Sequence, residues 1–200
     1  MSYKEVKLVF FAVLLVLFFF SVLSLFTIKW ANKISGLAAE QSTVSRVQVQ
    51  AFFSIAKSND LNTIDFGTVA NLANANDLNA SQNYNGPNNG TLYYLAVTDS
   101  NVGVDFCIRG TSLQNSAGDI IDIGNYSWSN STINNFTDFN QPPPASQSVV
   151  LSTTFEGSAK NVLNGQNAYY RFYLDIPPNT NPGIYNNTVY FKGVVSGGAC

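Results

Sequence analysis

From Leu8 to Ile28 the chain reads LVFFAVLLVLFFFSVLSLFTI, an unbroken apolar run without a charge. About 20 apolar residues in helical form span a bilayer core of about 30 Å. Backbone groups in lipid have to be satisfied internally, so the run predicts a transmembrane helix. Its polar residues, Ser21, Ser24 and Thr27, can bond back to helix carbonyls. Residues 1–35 are therefore expected to form an N-terminal anchor, and the small and polar residues 36–43 a stalk. Two further readings compete. Gly36-Leu37-Ala38 offers small residues spaced for signal cleavage, although the apolar block exceeds the usual h-region of about 7–15 residues. A pilin-type helix that leaves the membrane for a filament core is the third, and no basic-Gly processing site precedes the run.

Past residue 43 the period changes from helical to two. Val47, Val49, Ala51, Phe53 and Ile55 alternate with Gln48, Gln50, Phe52 and Ser54, which predicts a strand with one buried face. Further strands are predicted at Thr63–Val69, Leu92–Val97, Val102–Ile108, Ile120–Ile123, Tyr126–Trp128, Val149–Phe155, Ala168–Ile176 and Tyr185–Gly193. In the second-to-last, Ala168, Tyr170, Phe172, Leu174 and Ile176 face inward, and Tyr169, Arg171, Tyr173 and Asp175 outward. Residues 70–90 and 130–141 read as loops, and Pro142-Pro143-Pro144 forces an extended connection. Many short alternating strands with Gly, Pro and Asn between them predict a mainly β fold. It is a single Ig-like or jelly-roll β-sandwich over residues 44–200, behind the N-terminal transmembrane helix.

Composition narrows the chemistry. Charged residues make up 11% of the chain, against about 25% in ordinary soluble domains. The net charge is -2 and no basic patch lies beyond the helix, which argues against a nucleic-acid partner. Histidine is absent, removing the commonest general base and metal ligand. There is no GxSxG, no phosphate loop and no Cys/His metal spacing. The expectation is a protein that is not an enzyme, with no cofactor and no metal. Asn115, Asp119 and Asp122 could offer oxygens to Ca²⁺, but their spacing is not that of an EF-hand loop, and turn formation accounts for them.

Lysines flank both ends of the apolar run, Lys4 and Lys7 on one side and Lys29 and Lys33 on the other, with Trp30 suited to the interface. Charge does not set the orientation; the downstream chain does. It carries Asn-X-Ser/Thr triplets at Asn79, Asn89, Asn125, Asn130, Asn135 and Asn186, candidate glycan acceptors. Cys107 and Cys200, the two cysteines, are expected to pair in an oxidising compartment and clamp the C-terminal tail across a sheet face. Free thiols or an intermolecular bridge are the alternatives. Both features place the protein in the cell membrane, single-pass, with the C-terminal domain extracellular.

The stretches TIDFGTV (63–69) and PPNTNPGIYNNTVYF (177–191) resemble stretches of microbial surface β-sandwiches: spore-coat-U and pilus-subunit domains, and membrane-anchored archaeal surface proteins. The resemblance implies an Ig-like fold used in assembly or surface structure. The expected function is a structural or adhesive cell-surface protein. Its expected partners are membrane lipid, through the helix, and other surface proteins or copies of itself. Two alternatives stand beside it. One is a filament subunit joined through its helix or an edge strand. The other is a carbohydrate-binding module using the outward Tyr169, Tyr173 and Tyr190, a row that cross-strand aromatic pairing also explains.

Overall fold

The computed structural model describes residues 3–34, 46–131 and 140–200, and the chain divides into two units, Met1–Gln48 and Val49–Cys200. The first contains one helix, α1 (Tyr3–Ile34). No Gly or Pro interrupts it, and the window Val6–Leu23 has a mean hydropathy of 2.8 with none of it buried. The helix is long and apolar enough to cross a membrane or to act as a signal sequence. Ser21 Oγ donates to the Phe18 carbonyl at 2.9 Å, so this hydroxyl is satisfied within the helix.

The second unit is mainly β. Its strands are β1 (Phe53–Lys57), β2 (Leu78–Asn79), β3 (Tyr94–Ser100), β4 (Val104–Gly110), β5 (Leu113–Gln114), β6 (Ile120–Ile121), β7 (Tyr126–Ser131), β8 (Val149–Val150), β9 (Glu156–Val162), β10 (Asn167–Leu174) and β11 (Val189–Val195). A six-stranded antiparallel sheet runs β1-β3-β10-β7-β8, with β2 also paired to β10. A three-stranded sheet runs β11-β4-β9, and β5 pairs with β6. Leu95, Val97, Trp128, Tyr170 and Phe172 of the larger sheet share one core with Val104, Phe106, Ile108, Ala159 and Val162 of the smaller. Tyr170 meets Phe191 of β11 at 5.6 Å between ring centroids. Its hydroxyl lies 2.9 Å from Ser158 Oγ, which donates to the Phe106 carbonyl. Burial pushes the Tyr170 phenol up, with the Ser158 hydrogen bond offsetting part of that.

Several strands sit elsewhere than alternation predicts. The first begins at Phe53, and Val47 and Val49 are 86% and 73% exposed. Thr63–Val69 is not a strand, although Ile64 and Phe66 pack against the core. At Val149–Phe155 only Val149 and Val150 pair, and both are exposed. The strand that completes the smaller sheet is β9, EGSAKNV, which sequence reading passes over. It lacks a clean period of two because its pairing with β4 shifts register twice. The last strand starts at Val189; before it, Asn186 makes only an isolated bridge to Gln114.

β10 departs from the prediction in another way: it is covered on both faces. Arg171 and Tyr173, predicted to face outward, are 6% and 1% exposed. Arg171 donates through Nε to the Asn83 carbonyl at 3.1 Å, through Nη2 to that of Asn89 at 3.0 Å and through Nη1 to that of Pro142. The Tyr84 ring lies 4.2 Å from the guanidinium carbon. Tyr173 Oη and Ser129 Oγ both donate to the Pro143 carbonyl. The loops that read as polar linkers are thereby fastened over the sheet.

Removing Arg171 leaves three carbonyls without their charged donor. Arg171→Ala is expected to lower stability by about 3 kcal/mol or more, and Arg171→Lys to recover less than half of that, because a point ammonium cannot span three acceptors. Urea unfolding followed by tryptophan fluorescence checks both values.

Candidate functional site

Three features of the β unit bear on function: a groove of mixed polar and apolar lining, the outer face of the smaller sheet, and the sequons. The groove, about 930 Å³ in volume, lies between residues 61–72 and residues 180–191. Leu113, Ile121, Leu174 and Ile176 form its floor, and Ile64, Phe66, Tyr185, Val189 and Phe191 its half-buried walls. Among the described residues, Lys57 and Asp65 are the charged ones lining it. The two stretches that carried the resemblance, TIDFGTV and PPNTNPGIYNNTVYF, are the ones that face each other across it. The sequence predicts strands at Thr63–Val69 and Tyr185–Gly193, with Pro177–Gly183 as a turn cluster. Its signal, a period-two apolar row, is the same for a wall that has no neighbour.

One wall is held in place by amide–carboxylate bonds. Asp119 accepts from Asn115 Nδ2 at 2.8 Å and from Asn181 Nδ2 at 3.0 Å. Asn115 Oδ1 in turn accepts from the Ala117 and Asp119 amides. These donors hold the Asp119 carboxyl below its usual range. Asp122 accepts from the Gly124 amide at 2.8 Å and caps a short 3₁₀ turn. The acidic residues considered for Ca²⁺ thus serve as turn and loop anchors, and no cluster of metal-binding side chains occurs among the described residues.

On the outer face of the smaller sheet, Cys107 of β4 is bonded to Cys200, with Cα atoms 5.7 Å apart and a sequence separation of 93. In the pairing register Cys107 lies between Lys192 of β11 and Gly157 of β9. Lys192 Nζ donates to the Cys200 carbonyl and sits 4.8 Å from the Phe155 ring. Arg109 lies 4.2 Å from the Tyr190 ring and 5.0 Å from that of Phe155. The tail is fixed a second time by Asp105, which accepts from the Asn161 amide at 2.7 Å, Ser196 Oγ at 2.8 Å and the Gly197 amide at 2.9 Å. Burial pushes the Asp105 carboxyl up, but those three donors and the nearby Lys160 charge more than offset it and leave it below 3.8.

This arrangement dissolves the row of Tyr169, Tyr173 and Tyr190. Tyr173 is buried beneath Pro143, Tyr169 packs on Tyr94 at 5.5 Å, and Tyr190 belongs to the other sheet and covers Arg109. No aromatic platform is presented.

The sequons fall into distinct surroundings. The Asn130 Nδ2 is buried and has no hydrogen-bond partner among the described residues. Asn130 follows Tyr126 and Trp128 at period two on β7, and their Oη and Nε1 are likewise buried without partners there. Asn135 lies outside the described residues. Asn79 and Asn89 are exposed, but Ala80 and Thr91, the next members of their triplets, are 2% and 1% exposed. Asn125 is half-buried and donates to the Asp122 carbonyl at 3.3 Å. Asn186 is exposed, as is Thr188, and Asn187 between them is half-buried. Of the described triplets it is the most accessible.

No family model matches the chain, and no curated protein matches it.

Both carboxyls are held low in the folded state, so the stability they contribute is fully present above about pH 4 and is lost as pH falls through their folded-state values, below 3.8. Asp105→Ala is expected to flatten the acid limb of the stability profile, checked by urea midpoints between pH 2 and 6. Reduction of the disulfide, or Cys200→Ser, should cost about 2–4 kcal/mol, measured the same way at neutral pH.

Proposed function

We propose that the chain is a structural or adhesive cell-surface protein: an Ig-like or jelly-roll β-sandwich, held to the membrane by α1, with its C-terminal domain outside the cell. The observation that carries this reading is the combination of a membrane-length helix with a β unit whose two cysteines are both spent on one disulfide. Disulfides persist in oxidising compartments and are rare where glutathione keeps thiols reduced. A helix ahead of such a unit is an anchor or a leader, and both send the unit out of the cytoplasm. The two sheets contribute to one core, as the layers of a sandwich do.

A sequence without histidine and without the common catalytic motifs favours structure over catalysis. The groove's lining mixes aliphatic and aromatic side chains with Asn and Thr, and Lys57 and Asp65 are its charges among the described residues. The outer face is stiffened by ring–cation contacts and the bonded tail rather than left open as a binding platform. Asn186 is the sequon proposed to carry a glycan, on the exposed stretch before β11.

Protease added to intact cells is expected to digest residues 46–200 and leave a membrane-protected stub containing α1. Full protection of the β unit overturns the reading. In the same preparation, Asn186→Gln should lower the intact mass by one glycan, and an unchanged glycan mass removes Asn186 as the acceptor.

A further inference from the structure

The smaller sheet ends on a strand whose outer edge is regular and unpaired. β11 runs along β4 from Val189↔Gly110 to Val195↔Val104, and it pairs with no other strand among the described residues. In an antiparallel pair, alternate residues turn both main-chain polar groups toward the neighbour, and the residues between turn both away. The phase is set at the two ends. The Thr188 carbonyl accepts from the Thr111 amide at 3.1 Å, and the Ser196 amide donates to the Gly103 carbonyl at 2.8 Å. Even-numbered residues of β11 therefore face β4, and Val189, Phe191 and Gly193 turn their amides and carbonyls outward. Among the described residues nothing bonds to those groups. β1 does not take the place of a neighbour: a Cβ on Gly193 would meet its Phe53 and Ile55 at 3.0 and 3.3 Å, on the core side of the sheet rather than in its plane.

The open edge also leaves apolar surface in water. Val104, Phe106 and Ile108, the core-facing row of β4, are buried, whereas Val189 and Phe191 in the same row of β11 are half-buried. Edges are commonly guarded by a proline, a bulge or a charge, and β11 has neither of the first two. Its one charge, Lys192, is turned back across the sheet: Nζ donates to the Cys200 carbonyl and lies 4.8 Å from the Phe155 ring, next to β9. Such an edge accepts an extended strand that carries free groups at the same spacing. β11 of a second copy is one, and the registers available to two copies can be compared residue by residue.

We infer that β11 of one copy pairs antiparallel with β11 of a second about a two-fold axis at Phe191, joining the two smaller sheets into one. In this register Phe191 meets Phe191 and Val189 meets Gly193 of the second copy, so every outward group of the three residues finds its complement within β11. Tyr190, 39% exposed, stands opposite the alkyl stem of Lys192, a favourable cross-strand pair. The neighbouring registers fit worse. An axis at Lys192 sets that lysine against its own copy, and it pairs Val189 with Val195, whose carbonyl already accepts from the Gly198 amide at 2.8 Å. An axis at Tyr190 spends the Gly193 groups on Asn187, outside the strand. The contact uses the same surface on both copies, so it closes a pair and does not propagate. It does not depend on which side of a membrane the β unit occupies, and the paired stretch stops short of Asn186.

The test uses the full chain in detergent micelles. Val189→Pro removes an outward amide that the β4 ladder does not use, and proline is tolerated on an edge strand where its nitrogen faces away from the neighbour. Val189→Ala gives up the same side chain but keeps the amide. In sedimentation, the wild type and Val189→Ala should be dimers, and Val189→Pro should associate at least tenfold more weakly than Val189→Ala. The register is read separately by cross-linking. Thr188 and Val194 of opposite copies face each other with the axis at Phe191 and with no other axis. A mixture of Thr188→Cys and Val194→Cys chains should therefore oxidise to a linked pair containing one of each, and neither variant alone should link. A monomeric wild type, equal association of the proline and alanine variants, or a mixture that does not link overturns the inference. Equal association would assign the contact to α1, which both variants retain.

Discussion

A strand buried on both faces and paired on both edges has no access to water for its backbone, so every one of its polar groups needs a partner within the protein. β10 is that strand, and the β unit is arranged around it. β7 satisfies one edge over six consecutive residues. The other edge is shared in turn: β3 takes Asn167–Tyr169, the Tyr93 carbonyl takes the Tyr170 amide, and β2 takes Tyr173 and Leu174. At Phe172 the Ala80 amide donates to the carbonyl at 3.1 Å, and the side chain of Asn83 completes the pairing. Its Nδ2 donates to the Phe172 carbonyl at 2.7 Å, and its Oδ1 accepts from the Phe172 amide at 3.0 Å. One amide side chain there does the work of a strand residue, which is why Asn83 is wholly buried in a loop.

Arg171 extends the same requirement to charge. Its guanidinium is buried, and the donors described for it go to main-chain carbonyls of the residue 83–89 loop and of Pro142. A planar fork can serve three carbonyls at once, which a lysine cannot. The loops are rich in Asn and Gly and have little apolar surface of their own to bury. They are ordered by offering carbonyls to a cation and to the Tyr173 and Ser129 hydroxyls. Sheet and loops are therefore one cooperative structure rather than a scaffold with appendages.

This division explains what the sequence discloses. The apolar helix, the mainly β character and the inward row Ala168, Tyr170, Phe172 and Leu174 are legible because each follows from local periodicity. Counting two cysteines makes the Cys107–Cys200 pairing the favoured expectation, beside free thiols or an intermolecular bridge. Alternation, however, says which residues share a face and not what covers that face. Arg171 and Tyr173 read as exposed because the cover comes from 29 and 30 residues away, in the Pro142–Pro143 segment. Conversely Val47, Val49, Ile64 and Phe66 read as strand residues, yet none of them lies in a strand, and Phe66 packs edge-on against Tyr126 of β7 instead. β9 was missed for a third reason: bulges break its period, and Ser158 and Ala159 occupy its inward positions in place of β-branched residues. The groove was invisible for the same reason as the covered face, since both depend on distant chain.

The four sheet ends are not equivalent. β8 is two residues long and follows a triple proline, and β9 is twice bulged and carries exposed Glu156 and Lys160; both are poor templates for another strand. β1 has one bulge and ends on Lys57. β11 has seven residues, no proline and no register shift against β4. Its single charge, Lys192, is drawn onto the Cys200 carbonyl and the Phe155 ring, away from the role of an edge gatekeeper. The disulfide that fastens the tail thus also fixes the acceptor of the Lys192 ammonium. Clamping the tail and leaving β11 open are consequences of one local arrangement, and the groove lies beside a seven-residue sheet edge that pairs with no further strand among the described residues.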